Sequence, residues 1–200
     1  MQGFSDEERD RIEEDLIETG RELLRTYGPR KTNIEDVTDP VGIAKSTFYR
    51  FFDSKADLYI AIVERESDEM LETFAAEIDA AETPREALER FMRCLMEFAE
   101  TNPLIQYRDA FLNSISPEKM KELGKRQFEE YLPLIESLQE AAGPPLAEYD
   151  PATVLGVMGV AEYLAIHKDE YEMYREGYYE EVQEVVVPVL ARGLTVAPDD

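Results

Sequence analysis

The stretch Thr32-Asn-Ile-Glu-Asp-Val-Thr-Asp-Pro-Val-Gly-Ile-Ala-Lys-Ser-Thr-Phe-Tyr-Arg-Phe-Phe-Asp-Ser-Lys-Ala-Asp-Leu58 decides the fold. Its apolar residues recur at helical spacing on both sides of Gly42, which reads as a short helix, a turn and a second short helix. Ile34, Val37, Val41, Ile43, Phe48 and Phe52 can cover one internal seam. Lys45, Ser46, Thr47, Tyr49 and Arg50 are left facing outward, and their donors suit phosphates and major-groove base edges. Ser54 and Lys55 open the next helix, where free amides, the positive helix end and an ammonium can grip a phosphate.

Around this motif the chain reads as helix almost throughout, because apolar residues recur every three to four positions and alternating stretches are nearly absent. Ser5 with Glu8, Thr32 with Glu35 and Thr83 with Glu86 have capping-box spacing. Pro84, Pro117 and Pro151 follow Thr83, Ser116 and Asp150, at first helical positions where no amide is needed. Gly28 should end the opening helix, and Gly143 with Pro144 and Pro145 a later one. The spacing predicts helices near 5–27, 33–39, 45–52, 54–80, 84–101, 103–114, 117–142 (bent at Pro133), 151–168 and 171–194. The fold class is therefore all-α, with about nine helices: a three-helix helix-turn-helix domain over residues 1–53, then a larger antiparallel bundle over 54–200.

Charge qualifies the nucleic-acid reading. The 200 residues carry a net charge of −24, and polyanions repel DNA. The acid is unevenly spread, however: residues 21–58 hold seven basic against six acidic residues, whereas residues 61–200 hold 12 against 31. The motif is a near-neutral island in an acidic chain. Seven lysines with acids along the whole length suit molar intracellular salt, where a Debye length of about 3 Å screens self-repulsion. This is a halophilic signature.

These residues together resemble the TetR family of one-component transcriptional regulators. The likeness is specific over Thr32 to Val37, Gly42 to Phe52 and Ser54 to Leu58. The upstream helix ending at Gly28 agrees in position. Beyond residue 60 it lies in length, helix number and a last helix ending Val186-Val-Pro-Val-Leu-Ala-Arg-Gly-Leu194. The resemblance implies that Lys45, Ser46, Thr47, Tyr49 and Arg50 lie on a recognition helix, with Thr32, Tyr49 and Lys55 mostly on phosphates of double-stranded DNA. It also implies a homodimer, more often repressor than activator, whose second domain senses a small molecule; the single cysteine and the acidic start of the chain separately suggest a cytoplasmic protein. Thr38 and Pro40 depart from the family's alanine-like helix formers and should shorten the first motif helix. Ala44 replaces the usual serine cap, a loss of about 1 kcal/mol, and Phe51 stands where a polar ring is common.

The bundle offers a methionine- and aromatic-rich interior. Met96, Tyr107, Phe111, Phe128, Tyr131 and Tyr163 are the candidate lining of a pocket for an apolar or aromatic effector. Val154, Met158, Tyr178, Val182, Val186 and Val189 form an apolar stripe on the last two helices that needs covering, which a two-fold four-helix dimer interface supplies. Cys94 is the only cysteine, so no intrachain disulfide is possible. No nucleophile elbow, phosphate loop or metal cluster stands out, and no cofactor is implied. His167, the one histidine, reads as a surface residue. No apolar run approaches about 18 residues, so no membrane span is expected. A helical sensor or interaction adaptor without DNA affinity is the alternative, favoured by Pro40 and the acidity.

Overall fold

The computed structural model describes residues 4–102, 105, 113 and 115–197, and among these every regular element is a helix. In chain order they are α1 (Asp6–Tyr27), α2 (Ile34–Val41), α3 (Lys45–Phe48), α4 (Lys55–Asp79), α5 (Pro84–Thr101), α6 (Pro117–Ala142), α7 (Pro151–Ile166), α8 (Lys168–Glu172) and α9 (Tyr178–Thr195), with a 3-10 turn at Leu146–Glu148. The helices divide into two compact units, one drawn from Met1–Ser67 and Asn102–Gly124, the other from Asp68–Thr101 and Lys125–Asp200. No described helix is long and apolar enough to cross a membrane.

The first unit begins at a reciprocal cap. The Ser5 amide donates to the Glu8 carboxylate at 3.0 Å and the Glu8 amide to the Ser5 hydroxyl at 3.2 Å. Hydrogen bonds to the Glu8 carboxylate from the Ser5 amide, foremost, and from the Ser5 hydroxyl hold that carboxyl below its ordinary range. α1 turns Ile12, Leu16, Ile17 and Leu24 inward, against Val37 of α2, Phe48 of α3 and Leu58, Tyr59 and Ile62 of α4. Ile115 and Leu123 belong to the same core. Gly20 marks the closest approach of α1 to α4: a Cβ there would stand 3.0 Å from Ile62 and 3.1 Å from Leu58. A methyl at that position would press on the ends of those two side chains, which would have to shift by a few tenths of an ångström.

Four local expectations are corrected. The cap of α2 is Asn33, not Thr32: the Asp36 carboxylate accepts from the Asn33 amide at 2.7 Å, while the Thr32 hydroxyl donates to the Gly28 carbonyl at 2.9 Å. Pro40 does not shorten α2, since it sits in the last turn, where a missing amide removes a single terminal bond. α3 is shorter than 45–52: it starts at Lys45 as expected but ends at Phe48. After Phe48 the helix tightens, with Arg50 bonding Thr47 and Phe51 bonding Phe48. Finally, the helix expected over 171–194 is interrupted. The chain passes through Gly177 at φ +76°, and the Glu172 carboxylate accepts from the Gly177 amide at 2.9 Å and the Tyr179 amide at 3.0 Å. A distant carboxylate thus caps α9 and makes the break stable. The helix expected over 103–114 falls almost wholly outside the described residues.

In the second unit α5 packs on α7 and α9, and α7 on α9. Leu88, Phe91, Met92 and Met96 of α5 are buried, as are Val154, Met158 and Ala161 of α7 and Val187 and Ala191 of α9. Each large side chain so buried contributes about 1.5–3 kcal/mol. Phe74 packs on Phe91 with ring centroids 4.3 Å apart and on Tyr131 at 5.9 Å. α6 runs unbroken through Pro133. Beyond it the buried Gln139 amide donates to the Leu146 and Tyr149 carbonyls, each at 2.8 Å, which ties down the chain before α7.

Candidate nucleic-acid interface

The turn between α2 and α3 needs a left-handed residue, and Gly42 supplies it at φ +75°. The Ile43 amide then bonds the Thr38 carbonyl at 3.2 Å, which directs the chain into α3. Val37 and Phe48 are fully buried and Phe52 nearly so, so the seam inferred from spacing is the packed side of the motif. Lys45, Ser46, Tyr49 and Arg50 are exposed and Thr47 is half-buried. The Tyr49 ring stands edge-on to Phe48 at 5.5 Å, a contact that fixes its base while 49% of the residue stays exposed.

Three of the expected contacts are already engaged within the protein. Lys45 Nζ donates to the Glu35 carboxylate at 2.7 Å. That hydrogen bond holds Glu35 below its ordinary range and raises Lys45 above its own. Lys55 Nζ donates to the carbonyls of Pro29 at 3.0 Å and Thr32 at 2.8 Å, so it fastens the α1–α2 loop while keeping one further N–H. Thr32 is buried, with its hydroxyl on Gly28. The Tyr59 hydroxyl also donates to Pro29, at 3.2 Å, and its burial pushes that phenol well above its usual range. Lys55, Thr32 and Tyr59 together therefore shape the loop that presents α2.

The distribution of ion pairs separates the two units. In the second, Arg85, Arg90, Arg93, Lys125, Arg126, Lys168 and Arg175 each pair with a glutamate, Arg192 alone of its described cations standing apart. In the first, Arg21, Arg25, Lys45, Arg65 and Lys119 are paired too, but Arg9, Arg11, Arg30, Lys31, Arg50 and Lys121 are exposed and form no ion pair among the described residues. Cations without a neutralising carboxylate are what a polyanion can recruit. Arg9 escapes a reading centred on the motif, although its position one turn into a capped helix beside the reading head could have flagged it.

The residues proposed from sequence for effector and dimer scatter. Met96 is fully buried, Tyr131 half-buried, and Phe128 and Tyr163 exposed, the last stacked on His167 at 4.3 Å. Tyr107 and Phe111 lie outside the described residues. Val154 and Met158 are fully buried within the single chain, which corrects their assignment to an interface: α7 is apolar all round, so periodicity could not tell its inner face from its outer one. Tyr178, Val182 and Val186 are half-buried, and Val189 is exposed beside Val185 on α9. Val160 and Tyr163 are the exposed apolar residues of α7.

A capped first helix, a short helix, a glycine turn and a second helix with polar exposed residues define a helix-turn-helix module. Residues 16–62 match the model of the family described as bacterial regulatory proteins, tetR family. Among solved structures, a TetR/AcrR-family transcriptional regulator from Thermobifida fusca is 26% identical, over 92% of this chain and 98% of that one, at a TM-score of 0.62. A TetR-family regulator from Pectobacterium atrosepticum matches 98% and 100% of the two chains at 23% identity and a TM-score of 0.70. FadR from Bacillus subtilis, solved with stearoyl-CoA, matches 90% and 98% at 14% identity and a TM-score of 0.66. No curated protein matches the sequence. Residues 16–62 thus carry the DNA-binding domain that this family model describes, and the chain as a whole shares the fold of solved TetR-family regulators.

Proposed function

We propose that this regulator is a homodimeric repressor that binds a pseudo-palindromic operator and leaves it when an apolar or aromatic effector enters the bundle. Residues 1–53 read the DNA, and residues 54–200 carry effector binding and dimerisation. The observation that carries the reading is the exposed, partly unpaired polar face Lys45, Ser46, Tyr49 and Arg50 at the end of a rigidly seated motif. In the dimer two such faces enter successive major grooves, with half-sites about 34–36 Å apart. The exposed Val160 and Tyr163 on α7 and Val185 and Val189 on α9 support an interface built from these two helices.

Stearoyl-CoA in the Bacillus subtilis relative supports an effector with a long apolar part. The interior around Phe74, Phe91, Met92, Met96 and Tyr131 has the adaptable apolar chemistry to receive one. α4 is one continuous helix from Lys55 to Asp79, so a tilt imposed along it changes the posture of the motif. The switch operates to the extent that effector affinity differs between the two postures. The charge of −24 and the scarcity of lysine support work at high ionic strength.

Fluorescence anisotropy with duplexes selected by the protein from a random-sequence pool tests this reading, beside the Lys45→Ala/Arg50→Ala variant and over a range of KCl. Saturable, sequence-selective binding that the variant loses is the expected result. Failure of the wild type to enrich any duplex at any salt refutes the reading.

A further inference from the structure

Immediately before the Ser5 cap of α1 lies Phe4, whose ring centroid is 6.2 Å from that of Phe51, just past α3. The Arg50 guanidinium lies over the Phe4 ring at 4.8 Å. The Arg9 guanidinium lies over the Phe51 ring at 5.9 Å. Two cations and two aromatic faces thus form one contiguous cluster at the edge of the reading head. Both arginines are exposed, and neither forms an ion pair among the described residues.

We propose that Phe4 and Phe51 form an aromatic bracket that presents Arg9 and Arg50 side by side to the phosphate backbone of duplex DNA. Arg9 is then a DNA contact outside the helix-turn-helix, and Phe4 a positioning residue for Arg50. The proposal rests on the DNA-binding reading above.

Three physical points carry it. A guanidinium stacked by its face keeps its N–H donors free at the rim, so it can be held in place and bind a phosphate at once. The nature of the holder also matters. Lys45 is held by Glu35 and must surrender that carboxylate to meet DNA, whereas an arginine held by a ring keeps its whole charge available. Finally, stacking and direct hydrogen bonds act at contact range, so they persist where salt has screened longer-range attraction. In a chain of charge −24, contact-range cations are the ones that can still hold a polyanion.

The test uses the full-length protein and a duplex recovered from a random-sequence pool, read by anisotropy across a KCl series. Arg9→Ala should weaken binding about fivefold and flatten the salt slope by about one counterion. Phe4→Ala should weaken it about three- to tenfold with an unchanged melting temperature, and by less than about twofold when Arg50→Ala is already present. Phe4→Leu, which keeps apolar bulk but has no aromatic face, should resemble Phe4→Ala; it decides the matter if Phe4→Ala lowers the melting temperature. Arg9→Ala binding with wild-type affinity and slope overturns the proposal, as does a Phe4→Ala loss that is undiminished without Arg50. If Thr47→Ala weakens binding while the Arg9 and Phe4 variants do not, DNA binding stands and the bracket alone fails. If the wild type selects no duplex, both fail together.

Discussion

Replacing Glu66 by alanine removes the acceptor at the centre of a buried cluster in the first unit. Glu66 is 3% exposed. One carboxylate oxygen accepts from Arg21 Nε at 3.1 Å and Arg25 Nη2 at 3.2 Å, and the other from Asn102 Nδ2 at 2.5 Å. Breaking a buried ion pair from one side costs about 3–5 kcal/mol, because the remaining charge stays desolvated. The lower end applies here: the Arg25 side chain is 48% exposed, and Arg21 keeps a contact to Glu18 at 3.7 Å. A loss of about 3 kcal/mol lowers the melting temperature of a chain this size by roughly 6–12 °C. Urea unfolding in dilute and in molar KCl measures it. Buried charges are poorly screened, so the loss should persist at high salt. Glu14→Ala, which breaks the exposed pair with Arg65, should cost little and less still in salt. Adding Arg21→Ala to Glu66→Ala should cost less than the two singles together, since it removes the stranded charge. A Glu66→Ala loss below about 1 kcal/mol at both salts would refute the assignment of a stabilising role to this cluster.

Other perturbations test the interface and the packing. Glu35→Ala releases Lys45 and should tighten DNA binding about two- to fivefold in dilute salt, with the gain vanishing in molar KCl; absence of any gain would show that Lys45 does not meet DNA. Burial alone would raise the Asp57 carboxyl, yet hydrogen bonds from Lys119 and Ser54 hold it below its ordinary 3.8. Its contribution to stability is therefore present above that value and lost as pH falls through the lower folded one. The difference in urea midpoint between wild type and Asp57→Asn should shrink on acidification from neutrality, and a constant difference would contradict the pairing. Phe91→Ala should destabilise by about 3–5 kcal/mol, while the exposed Phe128→Ala should stay near zero, a contrast that equal losses would erase. Val189→Glu places a charge on the exposed stripe of α9 and should yield a monomer in sedimentation; an unchanged dimer would move the interface elsewhere.

Most of what the sequence made legible is local. Ser5 with Glu8 closes its cap over three residues, and Pro84, Pro117 and Pro151 begin their helices as expected. Val37, Phe48 and Phe52 meet inside because a three-to-four repeat can have only one inner face. The exposed face of α3 follows from that same repeat, so the exposure of Lys45, Ser46, Tyr49 and Arg50 could be anticipated from spacing. Errors arose where a neighbour in sequence was replaced by a competitor in space. Asn33 and Asp36 took the cap assigned to Thr32 once Gly28 had captured the threonine hydroxyl. Glu172 reached across a turn to start α9.

What only the tertiary structure decided is the set of partners far apart in the chain. Glu66 gathers Arg21, Arg25 and Asn102, Lys55 fastens the loop before α2, and Phe4 stacks under Arg50. A pattern of 200 residues fixes which side of a helix is apolar, since burial is non-directional and repeats with the helical turn. It does not fix which acid meets which base, because ion pairs and stacked rings depend on contact geometry that only packed helices create. The helix-turn-helix pattern was therefore written locally, and which cations stay clear of carboxylates was settled by the fold.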